Sequence, residues 1–370
     1  MRIGIDANPI VRNRGGIGWH TYHVLRALVE LKDPDLDLIA YVSPGSADAS
    51  VMHEPWARSR GLTWRETGGW ALRWRGTRDK LDVFHGPNFK LPTVGRFGGI
   101  VTIHDLWLAR HPQFSRKLFG QWGATRRVRR TAHEAARIIT VSDHSARDIV
   151  AICGVPREKV TVIHNAVSEE FYPSHDLLAL AAWGRRFGWT PRPFILFVGG
   201  ADPRKNHRAV LEAYVGRREQ LKSHTIIMVG SPTHRFGNLC DSVAAAGLEE
   251  HVVCTGPLSL ADLRMLYSHA EVFVFPSIYE GFGMPVLEAM ACGAPVITSN
   301  TTALPEVAGD AAVLVDPDKP DELADAMARV IHDSSLRASL REKGFQRAKR
   351  FTWERTARQT LAVYKEVCGG

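Results

Sequence analysis

The chain is poor in cysteine, lacks any long apolar run and has no acidic excess in its first half, and each absence narrows what it can be. Its 370 residues include five cysteines, Cys153, Cys240, Cys254, Cys292 and Cys368. None forms a CxxC pair and no spacing is metal-like, which argues against a disulfide framework or a zinc site and for free thiols in a reducing cytoplasm. No apolar run approaches the roughly 18 to 20 residues of a membrane-spanning helix. The start, MRIGIDANP, shows no charged-then-apolar signal pattern and is expected to open directly as a strand. Repeats of solenoid period and low-complexity segments are also missing. Acid-rich spacings do occur, at Asp33-x-Asp35, Asp35-x-Asp37 and Asp316-x-Asp318. Each lies on a polar turn next to a strand, so no divalent-metal site is expected.

A chain of this length is too long for one core and fits two α/β domains. Its net charge of +8 is unevenly spread. Residues 1–168 carry 25 Lys/Arg against 15 Asp/Glu, and the remainder 22 against 24. Between Arg110 and Arg137 eight basic residues face one acid, Glu134. Between Arg58 and Lys80 seven basic residues alternate with Trp64, Trp70 and Trp74, with Trp56 just before them. A basic face confined to one half suggests an anionic partner, such as a membrane surface. The pI of 9.4 also raises a nucleic-acid binder. No recognised module accompanies the charge, so nucleic acid is not expected.

Residues 2–6 read as a strand, followed by the glycine-rich turn Gly15-Gly16-Ile17-Gly18 and a helix from Trp19 to Leu31. That turn does not match GxGxxG, and its glycines serve either a phosphate or the turn alone. Leu38–Val42 is the next strand, and 43–80 is expected to be irregular. Further strands are expected at 83–85 and 99–103, the latter ending in His104-Asp105. This is either a ligand-facing pair or a satisfied polar pair at a strand end. A helix over 118–137, a strand over 138–142, Ser142 as N-cap, a helix over 145–153 and a strand over 160–163 complete the half. The expected domains are 1–168 and 194–350, joined by a linker at 169–193. Alternating strands and helices in both halves predict two doubly wound parallel sheets.

The most informative stretch is Glu280 to Cys292, EGFGMPVLEAMAC. The β-branched and aromatic Val272–Phe275 before it reads as a buried strand. Pro285 fits a first helical turn, and Gly293 stops the helix. The loop therefore lies at the carboxyl end of a strand and opens a helix, where backbone N–H groups and the helix dipole favour an electron-rich ligand. Glu280 and Glu288 frame it as acceptors suited to paired sugar hydroxyls. Glu288 has a second reading, as a carboxylate supporting the helix start. Lys205, beside Arg204 in GADPRKN, likewise sits at a helix start after a strand. Together they read as a diphosphate site or as an ordinary basic turn.

The Glu-x7-Glu frame around that loop resembles the signature of retaining glycosyltransferases of the GT4 type. FVGGADPRKNH, TIHDLWLARHP, VSDHSARDI, VIHNAVSEEFYP and the closing FTWERTARQTLAVYKEV are similar to further segments of that family. The resemblance implies a GT-B fold, two Rossmann-like α/β domains facing across a cleft, with residues 351–370 crossing back onto the first. It implies a nucleotide-sugar donor on the second domain and an acceptor on the first. Glu288 matches the residue holding the donor ribose, and Glu280 the one beside the hydroxyls of the transferred sugar. Gly281, Phe282, Gly283 and Met284 match the loop at that sugar. Lys205 matches the diphosphate cation, Gly16 the first-domain loop near the phosphates, and His104 the histidine near the reacting sugar. Many relatives carry arginine where this chain has Gly200, and Arg204 is expected to supply that charge. The wording DPRKN resembles a subgroup containing many mannosyltransferases. The implied activity is metal-independent transfer of a hexose, mannose from GDP-mannose first, onto a glycan or lipid-linked glycan. No resident cofactor is expected, and the implied location is cytoplasmic, peripheral at the inner membrane face. UDP-sugar donors, or a non-catalytic nucleotide-sugar-binding subunit, are the alternatives.

Overall fold

The computed structural model describes residues 1–12, 15–46, 49–68, 71–91, 98–114, 118–234 and 237–369. The chain divides into two compact units, Met1–Asn165 with Thr352–Gly370, and Ala166–Phe351. Among the described residues no helix is long and apolar enough to cross a membrane.

The first unit is built on seven parallel strands: β1 (Arg2–Asp6), β2 (Asp37–Val42), β3 (Leu62–Glu66), β4 (Val83–Gly86), β5 (Gly98–Thr102), β6 (Arg137–Thr140) and β7 (Val160–Val162). Their order is β3-β2-β1-β4-β5-β6-β7. Both faces are covered, so neighbouring residues of one strand serve opposite cores. Ile100 and Ile139 pack with Leu25 and Leu28 of the helix Gly16–Glu30 and with Leu361 and Tyr364 of the C-terminal helix Trp353–Gly369. Val101 and Ile138 pack with Ala132 and Ile149 of the helices Leu118–Glu134 and Asp143–Cys153. Ser142 caps the latter, its Oγ accepting from the Ser145 N–H at 3.1 Å, as its place in the sequence indicates.

Two sequence expectations change in this unit. The segment 43–80 is not irregular throughout, since it contains β3 and the helix Ala71–Arg78. β3 pairs with β2 in parallel at the sheet edge, and its residues LTWRE are half-buried or exposed, so the apolar pattern of an inner strand is missing. The helix expected to reach Arg137 stops at Glu134, and Arg137 begins β6.

The second unit holds β8 (Phe194–Val198), β9 (Thr225–Val229), the two-residue pair β10 (Thr233–His234) and β11 (Gly237–Asn238), then β12 (Val252–Gly256), β13 (Val272–Phe275), β14 (Val296–Ser299) and β15 (Ala312–Val315). Its six-stranded sheet runs β12-β9-β8-β13-β14-β15, all parallel. In each sheet the strand order reverses at one place, between β1 and β4 and between β8 and β13. Open sheets of this kind form a ligand crevice at the carboxyl ends of the strands there. The expected linker 169–193 is a correction. It carries the helix Leu177–Arg186, capped by Asp176, and belongs to the second unit. Trp183 and Trp189 are buried edge to face at 5.9 Å, with Trp189 against Phe194, so tertiary burial overrides the proline-rich wording.

Candidate active site

In the second unit two loops meet at the reversal point of the sheet. β13 is fully buried, which fixes where its loop begins. The Ile278 N–H donates to the Arg204 carbonyl at 2.8 Å, tying the loop after β13 to the turn Pro203–Lys205 after β8. The Glu280 N–H donates to Thr302 Oγ1 at 3.1 Å. Gly283 turns the chain at φ +102°, and a Cβ there would lie 2.6 Å from Leu304 Cδ2, so only glycine fits. The helix Met284–Cys292 follows, with Pro285 in its first turn, as the sequence indicates. Gly281, Phe282 and Gly283 are buried, and the Phe282 ring meets Phe351 at 5.9 Å.

This meeting places Lys205 Nζ 2.6 Å from Glu280 Oε1, with side chains only 18% and 11% exposed. Nζ also lies 5.0 Å from the centroid of the Phe275 ring. The sequence marks both residues but gives no sign that they pair across 75 positions. Arg204 is held by Asp202, with Nη2 at 2.8 Å and Nε at 3.1 Å from Oδ2. Burial raises the Asp202 carboxyl, but Arg204 outweighs it and holds the group below its ordinary range. The departure at Gly200 has a steric cause. Its φ is +60°, and a Cβ would fall 2.4 Å from the Ser231 carbonyl oxygen. An arginine here would need the loop after β9 to move.

Glu288 lies beyond the first turn of its helix, so the helix-supporting reading does not apply to it. Burial pushes its carboxyl up to about 7, against the opposing Tyr267 hydrogen bond and Lys205 charge. Lys205, Arg204, Glu280, Glu288 and the loop 281–284 therefore share one end of one sheet. Asp316 accepts from the Asp318 N–H at 3.0 Å and pairs with Lys319, the polar turn expected there.

In the first unit Gly16 opens the helix Gly16–Glu30 and lines a cavity of about 630 Å³ with Asp6, Asn8, Ser43, Phe84 and Lys90, at the reversal point between β1 and β4. His104 follows β5 and lies in a separate buried cluster. Its Nε2 sits 2.8 Å from the Pro87 carbonyl, which only accepts, so Nε2 carries the hydrogen and Nδ1 the lone pair. The His20 ring meets it edge to face at 4.6 Å, and His20 Nδ1 lies 2.7 Å from Asn165 Oδ1. His85 is held between the Tyr364 hydroxyl at 2.7 Å and Thr102 Oγ1 at 2.8 Å. Burial lowers all three, His20 well below its ordinary value and His85 down to about 3, so all are neutral near pH 7. Asp105 accepts from the Trp107 N–H at 3.0 Å, serving the turn after β5. Sequence reasoning missed His20 and His85. His20 shares a helical face with Val24 and Leu28, which is the signal for its burial.

The family described as Glycosyltransferase Family 4 matches residues 14–171, and the family described as Glycosyl transferases group 1 matches residues 185–347. The chain is 34% identical to O-antigen chain mannosyltransferase B of Escherichia coli, over 80% of this chain and 76% of that protein. It is 31% identical to MMP alpha-(1->4)-mannosyltransferase of Mycolicibacterium hassiacum, over 79% and 72%. Among solved structures, sucrose-phosphate synthase from Thermosynechococcus elongatus aligns over 99% of both chains with a TM-score of 0.79. At 19% identity that likeness establishes the fold, and the fold is GT-B.

Proposed function

The chain belongs to glycosyltransferase family 4, and on that premise we propose that it moves mannose from GDP-mannose, with retention, onto a glycan or lipid-linked glycan. The observation that carries the reading is the Lys205–Glu280 contact beside Glu288 at the reversal point of the second sheet. Glu288 accepts from the ribose hydroxyls, Glu280 from hydroxyls of the transferred sugar, and the loop Gly281–Met284 lines that sugar. An ammonium has three donors, so Lys205 can bond Glu280 and still reach the diphosphate, with Arg204 as second cation. In the first unit, Gly16 is assigned to the phosphates and neutral His104 to the reacting sugar. The two mannosyltransferase relatives support mannose as the cargo.

In the reaction the bond from C1 to the phosphate oxygen breaks and a bond from C1 to the acceptor oxygen forms on the same face. The acceptor proton passes to the leaving phosphate oxygen. Negative charge grows on the diphosphate, where fixed cations act most strongly. No resident cofactor and no metal enters this scheme. The test is a thermal-shift and transfer panel of GDP-mannose, UDP-glucose and UDP-N-acetylglucosamine, run with EDTA. The expected result is the largest rise in melting temperature, and turnover, with GDP-mannose. A UDP-sugar in that place overturns the donor, and binding without transfer or hydrolysis makes the chain a scaffold. Activity lost to EDTA and restored by metal contradicts the cation account.

The basic face supports a cytoplasmic protein lying peripherally on an anionic membrane. Arg126, Arg127, Arg129 and Arg130 are all exposed. Each such residue adds about 1 kcal/mol near an anionic surface. The tryptophans contribute less than their interleaving suggests. Trp56 is buried, Trp64 donates to the Ala57 carbonyl, Trp70 lies outside the described residues, and Trp74 is 80% exposed. Co-sedimentation with anionic vesicles that weakens with salt, and little with neutral ones, is the expected outcome. Salt-insensitive binding to both, or to neither, sinks the membrane reading.

A further inference from the structure

Tyr267 is a buried phenol that no sequence motif marks, and its hydroxyl points at a proposed donor-binding carboxylate. It lies on the helix Leu260–His269, wholly buried, with its ring edge to face against Phe171 at 6.0 Å and Phe273 at 5.2 Å. Those rings fix its direction, and its hydroxyl donates to Glu288 Oε2 at 3.2 Å. We propose that Tyr267 is a positioning residue for donor recognition, holding the Glu288 carboxylate in one orientation and keeping it an acceptor for the ribose hydroxyls. This rests on the reading of Glu288 as the ribose-binding residue.

The chemistry of the pair supports the assignment. Burial and then Glu288 raise the Tyr267 phenol well above its ordinary range, so it stays a neutral donor. An ionised carboxylate can accept from two hydroxyls, whereas a protonated one spends an oxygen as a donor. Burial alone favours the protonated form, and the Tyr267 hydrogen bond opposes it. Lys205 acts on Glu288 in the same sense as Tyr267. Arg264 acts on Cys292, one turn further along, and His269 bonds the Met265 carbonyl. Arg341 donates to the Gly293 carbonyl, and Arg347 to those of Val307 and Glu306.

The sign follows from the raised carboxyl. If the ionised form binds the ribose, affinity for GDP-mannose climbs with pH through about 7 and levels off above it. Tyr267→Phe keeps the ring and its packing and removes the donor. At 3.2 Å the bond is long for a hydroxyl donor, so the midpoint is expected to move up by about one pH unit. Affinity near pH 6.5 should then fall about tenfold and recover to the wild-type level at high pH. A merely structural role would lower affinity equally at every pH. The experiment is a pH series of GDP-mannose binding by calorimetry on wild type, Tyr267→Phe and Glu288→Gln, each checked by its melting curve. All three proteins meet the same ligand, so its own titration cancels. Glu288→Gln should bind weakly with that pH dependence lost. If it binds like wild type, the ribose reading fails and takes the proposal with it. If Glu288→Gln behaves as expected while Tyr267→Phe keeps the wild-type midpoint, or loses affinity equally at all pH values, the positioning role alone is overturned.

Discussion

Glu280→Gln is expected to lower kcat by about 10² to 10³, the range seen when one fixed electrostatic partner of a transition state is removed. Glutamine keeps the size of the side chain and an oxygen that Lys205 can still approach. The hydrogen-bonded pair Tyr267–Glu288, the proposed nucleotide end of the site, is untouched. KM for the proposed donor, GDP-mannose, should therefore change much less than kcat, because the lost interaction grows as the sugar gains positive character. Steady-state kinetics of the purified variant decide this. An unchanged kcat removes Glu280 from the chemistry, and a raised KM with kcat preserved makes it a ground-state binding group.

The backbone of this candidate site was legible in the sequence where the signal is local. The run from Val272 to Gly293 carries a strand, a left-handed glycine, an early proline and a stop glycine within one short stretch, and each demands a particular backbone. The same holds for the Ser142 cap. Fold class was legible too, since two-sided burial gives runs such as VFVF. Illegible features depend on what the chain meets far along its length. β3 looks irregular because an edge strand half in solvent needs no apolar alternation. The helix Leu177–Arg186 hides behind flanking prolines, and its stability comes from Trp183 and Trp189 packing edge to face against each other and Phe194 of β8. Tyr364 reaches His85 across 279 positions, and no spacing rule anticipates that hydrogen bond. The basic and aromatic interleaving over 56–80 misled for the converse reason, as alternation cannot tell the buried Trp56 from the exposed Trp74.

The Lys205–Glu280 pair sets the second large effect, and a double-mutant cycle separates its structural share from its catalytic one. Both side chains are mostly buried, and a charge stranded there by loss of its partner costs about 3 to 5 kcal/mol. Lys205→Met strands the Glu280 carboxylate and, on the proposed reading, also removes a cation from the leaving diphosphate. Stability and turnover should therefore both fall in this variant. Glu280→Gln removes the counter-charge of the ammonium, which keeps the amide oxygen and the aromatic ring of Phe275 at 5.0 Å, so its stability loss should be the smaller of the two. In the double variant Lys205→Met with Glu280→Gln no charge is left unpaired, and most of the stability should return. Turnover should fall below that of Glu280→Gln alone, because the proposed diphosphate site then lacks its cation as well. Urea melts and kcat on the four proteins read both axes. If Lys205→Met is as stable as wild type, the pair carries no structural weight. If Lys205→Met keeps wild-type kcat, or the double variant turns over no slower than Glu280→Gln alone, the charge at 205 plays no part in leaving-group departure, and the diphosphate assignment fails. The outcome that supports both roles is recovery on the stability axis with none on the kinetic one.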